Sequence, residues 1–399
     1  MILQAVAALV AGGAVATCAA EIAARRMLRR QARYCVWQPG RKLELHLDRD
    51  SHPRLESVVR FEVNDAGERG PAIGDDRSLF RVLATGGSTV ESFLLNHDAS
   101  WPGALQRYLS TPSALASLGA ERVHVGNIGK SGVGAAALSL ILRRVLPRYP
   151  VLDLLLVMVG ASDVLLWLES DATKIAAAPS NDYFAIHPDG PFGFSPRRTA
   201  LWELLRRARD RRVASRPERR DGVAKWIGKA RAMRANAAEV KDDVADPAAM
   251  LASFEENFRA ALRVAGAHAR RVIVVKQPWF EKTSFSAEER ALFWNGGVGK
   301  AVYQHVSVFY SDAVLFRLMH SIDEAALRVC EELGVEQIDV MPVLERSVNT
   351  YYDHFHHTPT GADAIARIVA ERVLRSPHRP PTDAGYEAPR RRIPAVVAE

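Results

Sequence analysis

The chain has 399 residues, of which 48% are hydrophobic and 25% are charged. This is the composition of an ordinary globular protein, and it excludes a wholly disordered or fibrous chain. The length allows one large α/β domain with appendages, or two smaller domains. The formal net charge of +7 is a local excess, so we expect no nucleic-acid partner. Three cysteines are too few and too far apart for a disulfide framework or a CxxC metal site: Cys18, Cys35 and Cys330.

Residues 2–20 are apolar apart from Gln4 and Thr17. About 20 apolar residues can cross a bilayer, although a stretch this rich in alanine and glycine inserts weakly. No lysine or arginine precedes the segment, as one would in a cleaved signal peptide. The sequence therefore predicts an uncleaved, single-pass membrane anchor over residues 1–24. The positive-inside rule then places the rest of the chain in the cytoplasm, because arginines follow the apolar stretch: Arg25, Arg26, Arg29, Arg30 and Arg33.

An N-terminal extension, residues 25–78, is rich in turn formers and charges, with one strand-like piece at 58–63. Apolar runs then alternate with amphipathic helical patterns. The runs that predict strands are 81–85, 122–126, 153–159, 271–276 and 335–340. The helical patterns lie at 92–109, 135–146, 248–269, 312–333 and 359–374. This alternation predicts a three-layer α/β/α domain over residues 79–375, with a five-stranded parallel sheet of the flavodoxin-like kind. The active site of such a sheet lies at the carboxyl ends of its strands.

Two stretches do not fit this alternation. Residues 170–247 are too long for a simple connection and predict a helical insertion, whose basic part, residues 206–234, carries twelve Lys and Arg. We expect this basic part to be a solvated helical surface. The tail, residues 376–399, is rich in proline and arginine, and we expect it to be disordered.

The first candidate site segment is Gly86-Gly87-Ser88, between the first apolar strand and a helical pattern. The glycines allow a sharp turn and a close approach by another molecule. A serine there lies at the carboxyl edge of the sheet, where backbone N–H groups and the helix dipole attract negative charge. Ser88 and Glu91 also fit a capping box, in which Ser88 only starts the helix.

Two further turns follow the next strands. Residues 127–132 include Gly129-Lys130-Ser131, which matches the end of a phosphate-binding loop. That motif needs another glycine where this chain has His124, so what remains is a glycine-rich turn able to aim N–H groups into a cleft. The third strand ends in the turn 160–163, with the polar side chains of Ser162 and Asp163.

The last candidate segment is residues 353–357. A carboxylate, Asp353, lies three residues before an imidazole, His356, and a loop of this length allows the carboxylate to orient the ring. Histidine suits a general base because its pKa is near neutrality. A metal site made from Asp353, His354, His356 and His357 is the alternative. Adjacent histidines project in different directions, however, and no second cluster completes such a site.

Taken together, these segments resemble the four sequence blocks of the SGNH (GDSL-like) hydrolases. The closing block is the most specific, because Asp353-x-x-His356-x-Thr358-Pro359-x-Gly361 matches the family pattern throughout. The upstream stretch 61–70 also resembles a lead-in found in bacterial members associated with cell-surface polysaccharides. The resemblance covers roughly residues 58–375. Two departures are Gly87, where the family has aspartate, and Ser162, where it has an oxyanion-hole asparagine.

The resemblance implies a serine esterase that needs no metal or organic cofactor. Ser88 would be the nucleophile, His356 the general base and Asp353 the residue that orients it. The oxyanion hole would consist of the N–H groups of Ser88 and Gly132, with Ser162 as a third donor. The implied substrate is a short acyl ester, such as acetyl, on a glycan, with water or an alcohol as the acceptor.

Two other functions remain open at this point. The first is a catalytically weak or inactive protein of the same fold that binds an anionic polymer or a membrane surface. Ser162 and the basic insertion favour it, whereas the presence of Ser88, Asp353 and His356 together argues against it. The second is a nucleotide-binding enzyme that uses Gly129-Lys130-Ser131, for which we would expect measurable ATP affinity.

Overall fold

The computed structural model describes residues 2–31, 33–74, 78–186, 199–213, 217–220 and 222–375. The tail predicted to be disordered, 376–399, lies outside these residues. In chain order the helices are α1 (Ile2–Gln31), α2 (Ser88–Glu91), α3 (Trp101–Leu109), α4 (Pro112–Leu118), α5 (Ala135–Val145), α6 (Ala161–Glu169), α7 (Ala200–Val213), α8 (Val223–Ala235), α9 (Ala248–Gly266), α10 (Ala287–Arg290), α11 (Asp312–Leu333) and α12 (Pro359–Arg375). The strands are β1 (Lys42–His46), β2 (Val58–Glu62), β3 (Leu79–Gly86), β4 (Arg122–Asn127), β5 (Leu154–Met158), β6 (Glu218–Arg220), β7 (Glu239–Lys241), β8 (Val272–Val275), β9 (Val308–Tyr310) and β10 (Glu336–Ile338).

The predicted five-stranded parallel sheet is confirmed, in the order β10-β8-β5-β3-β4. This is the flavodoxin-like order, in which the winding of the chain reverses between β3 and β5. Gly86 at the end of β3 is in register with Met158 of β5, and Ala84 is in register with Asn127 of β4. The carboxyl ends of these three strands are therefore level, and the turns that follow them meet above one crevice.

Helices cover both faces of the sheet, because its strands are apolar on both sides. Every residue of β5 is buried. Contacts between the helices that cover the sheet fall into two groups, with α5, α6, α9 and α11 in one and α3, α4 and α12 in the other. Three layers result, and the apolar core lies on either side of the sheet.

The helix predicted at 92–109 is interrupted. The structure has the single turn α2, a break at Ser92 with a left-handed φ of 48°, and then α3, capped by the Ser100 side chain. The apolar residues between the two helices, such as Leu94 and Leu95, are buried without being helical. Their apolar side chains extend the helical pattern toward the N-terminus, so the predicted start of the helix at residue 92 was wrong. Helix α4 was not predicted.

The insertion 170–247 is partly extended and joins other parts of the molecule. Strand β6 pairs with β1 in a three-stranded sheet with β2, and β7 pairs with β9. Helix α7 packs against α1, where the Glu21 carboxylate accepts hydrogen bonds from the N–H groups of Ala200 and Leu201 at 2.8 and 3.0 Å. The insertion is therefore built into the structure and not only attached to its surface.

The predicted membrane anchor is not supported. Residues 2–31 form one helix, α1, but in the part of the chain whose residues are described no helix is both long enough and apolar enough to cross a membrane. Alanine and glycine dominate this segment, and their small side chains remove little apolar area from water. The side chains of residues 1–3 and 5–9 lie outside the described set.

Candidate active site

Ser88 is the first residue of α2 and follows β3 after a turn that only glycine permits. Gly86 has a φ of +150°, and a β-carbon there would lie 1.9 Å from the Met158 carbonyl oxygen. The N-cap of α2 is Gly87, with no side-chain capping bond. The Ser88 hydroxyl instead lies 2.8 Å from Nε2 of His356. The capping-box alternative therefore does not describe what this hydroxyl does.

His356 and Asp353 complete a continuous chain of hydrogen bonds with Ser88. The Nδ1 atom of His356 lies 2.8 and 3.0 Å from the two carboxylate oxygens of Asp353. With the proton on Nδ1 donated to this carboxylate, the lone pair of Nε2 faces the Ser88 hydroxyl. The three residues that sequence analysis selected thus lie in the order hydroxyl, imidazole, carboxylate, although 268 positions separate Ser88 from His356.

Four donors satisfy the Asp353 carboxylate, which is fully buried. Besides His356 Nδ1, these are the backbone N–H groups of Phe355 at 2.8 Å and His356 at 2.9 Å, and the indole N–H of Trp294 at 2.9 Å. Burial by itself raises the pKa of a carboxyl. Here the charge of His356 and the hydrogen bonds from His356 and Phe355 outweigh burial and hold the pKa of Asp353 well below its usual range. The group is therefore ionised at neutral pH.

The His356 imidazole has an environment that favours its protonated form. Burial lowers the pKa of His356, but the negative charge of Asp353 outweighs that effect and raises the pKa above 6.5. Two aromatic rings lie almost parallel to the imidazole, Tyr352 with centroids 5.5 Å apart and Trp294 with centroids 6.5 Å apart. The imidazole therefore lies in an aromatic environment.

The expected oxyanion donors come from three turns: Ser88, Gly132 and Ser162. Ser88 N–H is at the start of a helix and has no acceptor within it. Gly132 is exposed, has a left-handed φ of 77° and has open space where a side chain would be. A β-carbon on Gly87 would lie 3.4 Å from Ser162 Oγ and 3.3 Å from the Val133 carbonyl oxygen. The two departures from the family pattern, Gly87 and Ser162, therefore lie next to each other.

The loop containing Gly129-Lys130-Ser131 is not arranged as a phosphate cradle. The Lys130 ammonium donates a hydrogen bond to the Tyr183 carbonyl at 2.9 Å and lies 4.0 Å above the Tyr183 ring. The Gly129 carbonyl accepts a hydrogen bond from the Trp37 indole at 2.9 Å. The lysine that a nucleotide-binding enzyme would use for phosphate is thus engaged within the protein.

The neighbouring histidines are structural. His354 is fully buried, with Nε2 3.0 Å from the Asp312 carboxylate and its ring stacked on Phe293. His357 is buried against Tyr351, and burial lowers its pKa to about 3. Within the described ranges, no group of His, Cys, Asp and Glu side chains could hold a metal ion. The metal site considered as an alternative at 353–357 is therefore not formed.

Two residues that support the Asp353–His356 loop were missed by sequence analysis. Trp294, described above, lies in the irregular segment between α10 and β9. Arg231, from α8 of the insertion, donates to the carbonyls of Ser51 at 2.6 Å, Tyr352 at 3.0 Å and Leu292 at 3.2 Å. Neither residue belongs to a motif, so no signal in the sequence could have identified them.

The lead-in stretch 61–70 contacts the end of β4 and the helix that begins at Ser88. Its Asn64 side chain accepts hydrogen bonds from the N–H groups of Ala66 and Glu68 and shapes the turn. Arg69 N–H donates to the Asn127 carbonyl at the end of β4. The fully buried Arg69 guanidinium donates to the Ser92 carbonyl at 2.7 Å and to the carbonyls of Glu91 and Leu95. The lead-in therefore contacts the helix that carries Ser88.

No model of a known protein family matches this sequence, and no curated protein matches it. Among solved structures, the chain is similar to an alpha/beta hydrolase enzyme from the metagenome of Lake Arreo, Spain. The identity is 13% and the TM-score 0.41, over 74% of this chain and 96% of that one.

It is also similar to a member of the lipolytic protein G-D-S-L family from Veillonella parvula, at 10% identity and a TM-score of 0.38, over 75% of this chain and 100% of the other. An acetylxylan esterase from Geobacillus stearothermophilus is 12% identical, with a TM-score of 0.38, over 73% of this chain and 93% of that enzyme. The solved structures that resemble this chain thus include G-D-S-L lipolytic proteins and acetylxylan esterases.

Proposed function

We propose that this protein is a serine carboxylic ester hydrolase with Ser88 as nucleophile, His356 as general base and Asp353 as the residue that orients the base. The observation that carries the proposal is the unbroken series of hydrogen bonds from Ser88 Oγ through His356 to Asp353. A serine hydroxyl is a weak nucleophile unless an adjacent base takes its proton. A buried, ionised Asp353 supplies the partner that makes His356 such a base.

The reaction would proceed in two half-reactions. Ser88 Oγ attacks the ester carbonyl carbon while its proton passes to His356 Nε2, giving a tetrahedral oxyanion. Collapse of that intermediate expels the alcohol, which takes the proton from His356, and leaves an acyl group on Ser88. Water, deprotonated by His356, then attacks the acyl-enzyme, and Ser88 Oγ recovers its proton as the carboxylic acid leaves. An alcohol in place of water would make the same site a transferase.

The N–H groups of Ser88 and Gly132 would stabilise the oxyanion, with the Ser162 hydroxyl as a third donor. A hydroxyl is shorter than an asparagine amide. The Ser162 hydroxyl nevertheless lies beside the nucleophile turn, 3.4 Å from the position of a Gly87 β-carbon. An exposed Gly132 leaves the carbonyl of a substrate free to approach from solvent.

The substrate would be a short acyl ester, such as an acetyl group on a glycan. The support is the sequence resemblance of residues 61–70, together with the packing of that stretch against the helix of Ser88. A non-catalytic protein of the same fold that binds an anionic polymer is the other candidate. The bond between Ser88 and His356 favours catalysis, since binding alone requires no such contact.

Hydrolysis of p-nitrophenyl acetate by the full chain tests the proposal, with Ser88→Ala as the variant. Removing one triad member typically costs about 10³-fold or more in kcat, so we expect activity to fall to the background rate. Ser117→Ala, an exposed serine on α4, is the matched control and should behave like wild type. A fluorophosphonate probe should label wild type and not Ser88→Ala. Full activity in Ser88→Ala, or no labelling of wild type, would show that the proposal is wrong.

A further inference from the structure

The loop that follows β4 is joined to the end of β3 and to α2 by hydrogen bonds at its start. Lys130 N–H donates to the Gly86 carbonyl at 3.0 Å, and the Asn127 side chain donates to the Val90 carbonyl at 2.7 Å. The backbones approach so closely that a β-carbon on Gly129 would lie 2.5 Å from the Glu91 nitrogen. These contacts hold residues 127–130, but none of them reaches the exposed residues that follow.

The Glu91 carboxylate makes the next connection. Its side chain is buried, and one carboxylate oxygen accepts hydrogen bonds from both the backbone N–H and the hydroxyl of Ser131. Ser131 supplies the carbonyl half of the peptide unit whose N–H belongs to Gly132. Two bonds to one residue restrain both its backbone and its side chain, so they limit the rotation of that peptide unit.

A buried carboxylate is costly unless nearby groups compensate for its charge. Burial raises the pKa of Glu91, and the Ser131 bonds and the positive charge of Arg69 oppose that rise. Arg69 also donates to the Glu91 and Ser92 carbonyls at the end of α2. The lead-in stretch thus supplies a positive charge that offsets part of the cost of burying this carboxylate.

We infer that Glu91 is a positioning residue that holds the oxyanion donor of Gly132 at a fixed distance from Ser88. Both ends of the connection lie within the site, because Glu91 and Ser88 belong to the single turn α2 and Ser131 adjoins Gly132. Glu91 does not touch the substrate and acts through Ser131. The inference rests on the proposed esterase function and adds the means by which two separate turns form one oxyanion hole.

Two substitutions of Glu91 separate its acceptor role from its bulk. Glu91→Leu removes the oxygen that accepts both Ser131 bonds, so we expect kcat to fall about 100-fold while KM changes less than about threefold, because the oxyanion forms only in the transition state. Glu91→Gln keeps an acceptor oxygen for Ser131 and should retain kcat within about fivefold. Glu324→Leu, at an exposed site on α11, is the matched control and should leave both constants unchanged. Equal losses in Glu91→Leu and Glu91→Gln, or no loss in either, would overturn the inference.

A second measurement covers the case in which Glu91→Leu folds poorly. Ser131 is exposed, so Ser131→Ala should fold normally. It removes one of the two bonds, and we expect kcat to fall about fivefold with KM unchanged. An unchanged kcat in Ser131→Ala, when Glu91→Leu does not fold, would also contradict the inference.

Hydrogen exchange of the Ser131 amide, followed by NMR, tests the contact without any reference to catalysis. Exchange should be slow in wild type and Glu91→Gln and at least about tenfold faster in Glu91→Leu, because the opened amide loses its acceptor. If wild type shows no Ser88-dependent hydrolysis, the proposed function is wrong and the role in catalysis falls with it. If wild type is active but Ser131 exchange does not depend on Glu91, the inference alone is wrong.

Discussion

Ser88 and the loop 127–132 lie at the ends of neighbouring strands and are joined to them by backbone hydrogen bonds, whereas Asp353 and His356 lie in a loop that side chains from distant segments support. On the Ser88 side, the Ile128 and Lys130 N–H groups donate to the carbonyls of Ala84 and Gly86. On the other side, Trp294 and Arg231 reach the loop of Asp353 and His356 from the segment before β9 and from the insertion. The first half of the site therefore follows from the topology of the sheet, and the second depends on individual side chains.

This difference explains why sequence analysis found the glycines that shape the first half of the site but missed the side chains that support the second half. Backbone geometry at the end of a strand requires glycine at particular positions, so it leaves a mark in the sequence at Gly86 and Gly129. An indole that donates to a carboxylate 59 positions away leaves no such mark. Substitutions on the two sides should accordingly change kcat by different factors, and one of them should also shift the pH profile.

The largest effect is expected at His356 itself. His356→Ala removes the base, and kcat should fall at least about 10³-fold while the protein stays folded. The neighbouring His357 is buried against Tyr351, so His357→Leu is a stringent control and should keep kcat within about threefold. Steady-state hydrolysis of p-nitrophenyl acetate, together with circular dichroism, measures both. Comparable losses in the two variants would mean that the loop as a whole, and not the His356 base, carries the activity.

A smaller effect is expected on the Ser88 side at Ser162. Ser162→Ala removes one hydroxyl donor next to Gly87, and we expect kcat to fall about tenfold with little change in KM, since the donor acts on the transition state. Ser170→Ala is the control, because Ser170 follows the last residue of α6 at the end far from Ser162, and it should leave kcat unchanged. If Ser162→Ala equals wild type in kcat, the oxyanion hole has only the two backbone donors.

The smallest effect is expected at Trp294, and it should appear in the pH profile. The base works when neutral, so kcat/KM falls as the pH drops through the pKa of His356, which Asp353 raises above 6.5. Trp294→Phe keeps a ring but removes the N–H that stabilises the Asp353 carboxylate. The carboxylate then attracts the imidazole proton more strongly, and the acid limb should move to higher pH, with kcat/KM about fivefold lower near neutrality.

Trp202→Phe is the matched control for that experiment, because Trp202 is 57% exposed on α7. Its pH profile should superimpose on that of wild type. An acid limb of Trp294→Phe that stays in place or moves to lower pH would contradict the role given to the indole.

The sequence was sufficient to predict the central sheet and to select three residues that the fold brings into contact. Continuous apolar runs separated by helical patterns have few other solutions, because strands buried on both faces must pair in parallel under helices. The carboxyl ends of such strands meet at one edge, which is why Ser88 and residues 127–132 could be placed together. The closing segment identified Asp353 and His356 by their spacing.

Other features were not predictable from local patterns. The break at Ser92 was hidden, because Leu94 and Leu95 are buried outside any helix and imitate an amphipathic pattern. The insertion was taken for helices alone, although β6 and β7 pair with strands far away in the chain. Glu91 resembled a capping residue because its sequence neighbours allow that role, whereas its contact is with Ser131. In each case the competing interaction is long-range.

The sequence by itself determined the order of the strands along the chain, the glycine turns and the residue types able to perform acyl transfer. Only the tertiary structure decided the distance from Ser88 to His356, the hydrogen bond from Trp294 to Asp353 and the burial of Glu91 beside Ser131. The physical reason is the separation along the chain over which each interaction acts. Hydrophobic periodicity and backbone constraints act over a few neighbouring residues, so the local sequence shows them. Hydrogen bonds between side chains and the pKa of a buried group depend on which segments the completed fold places within about 3 Å of each other.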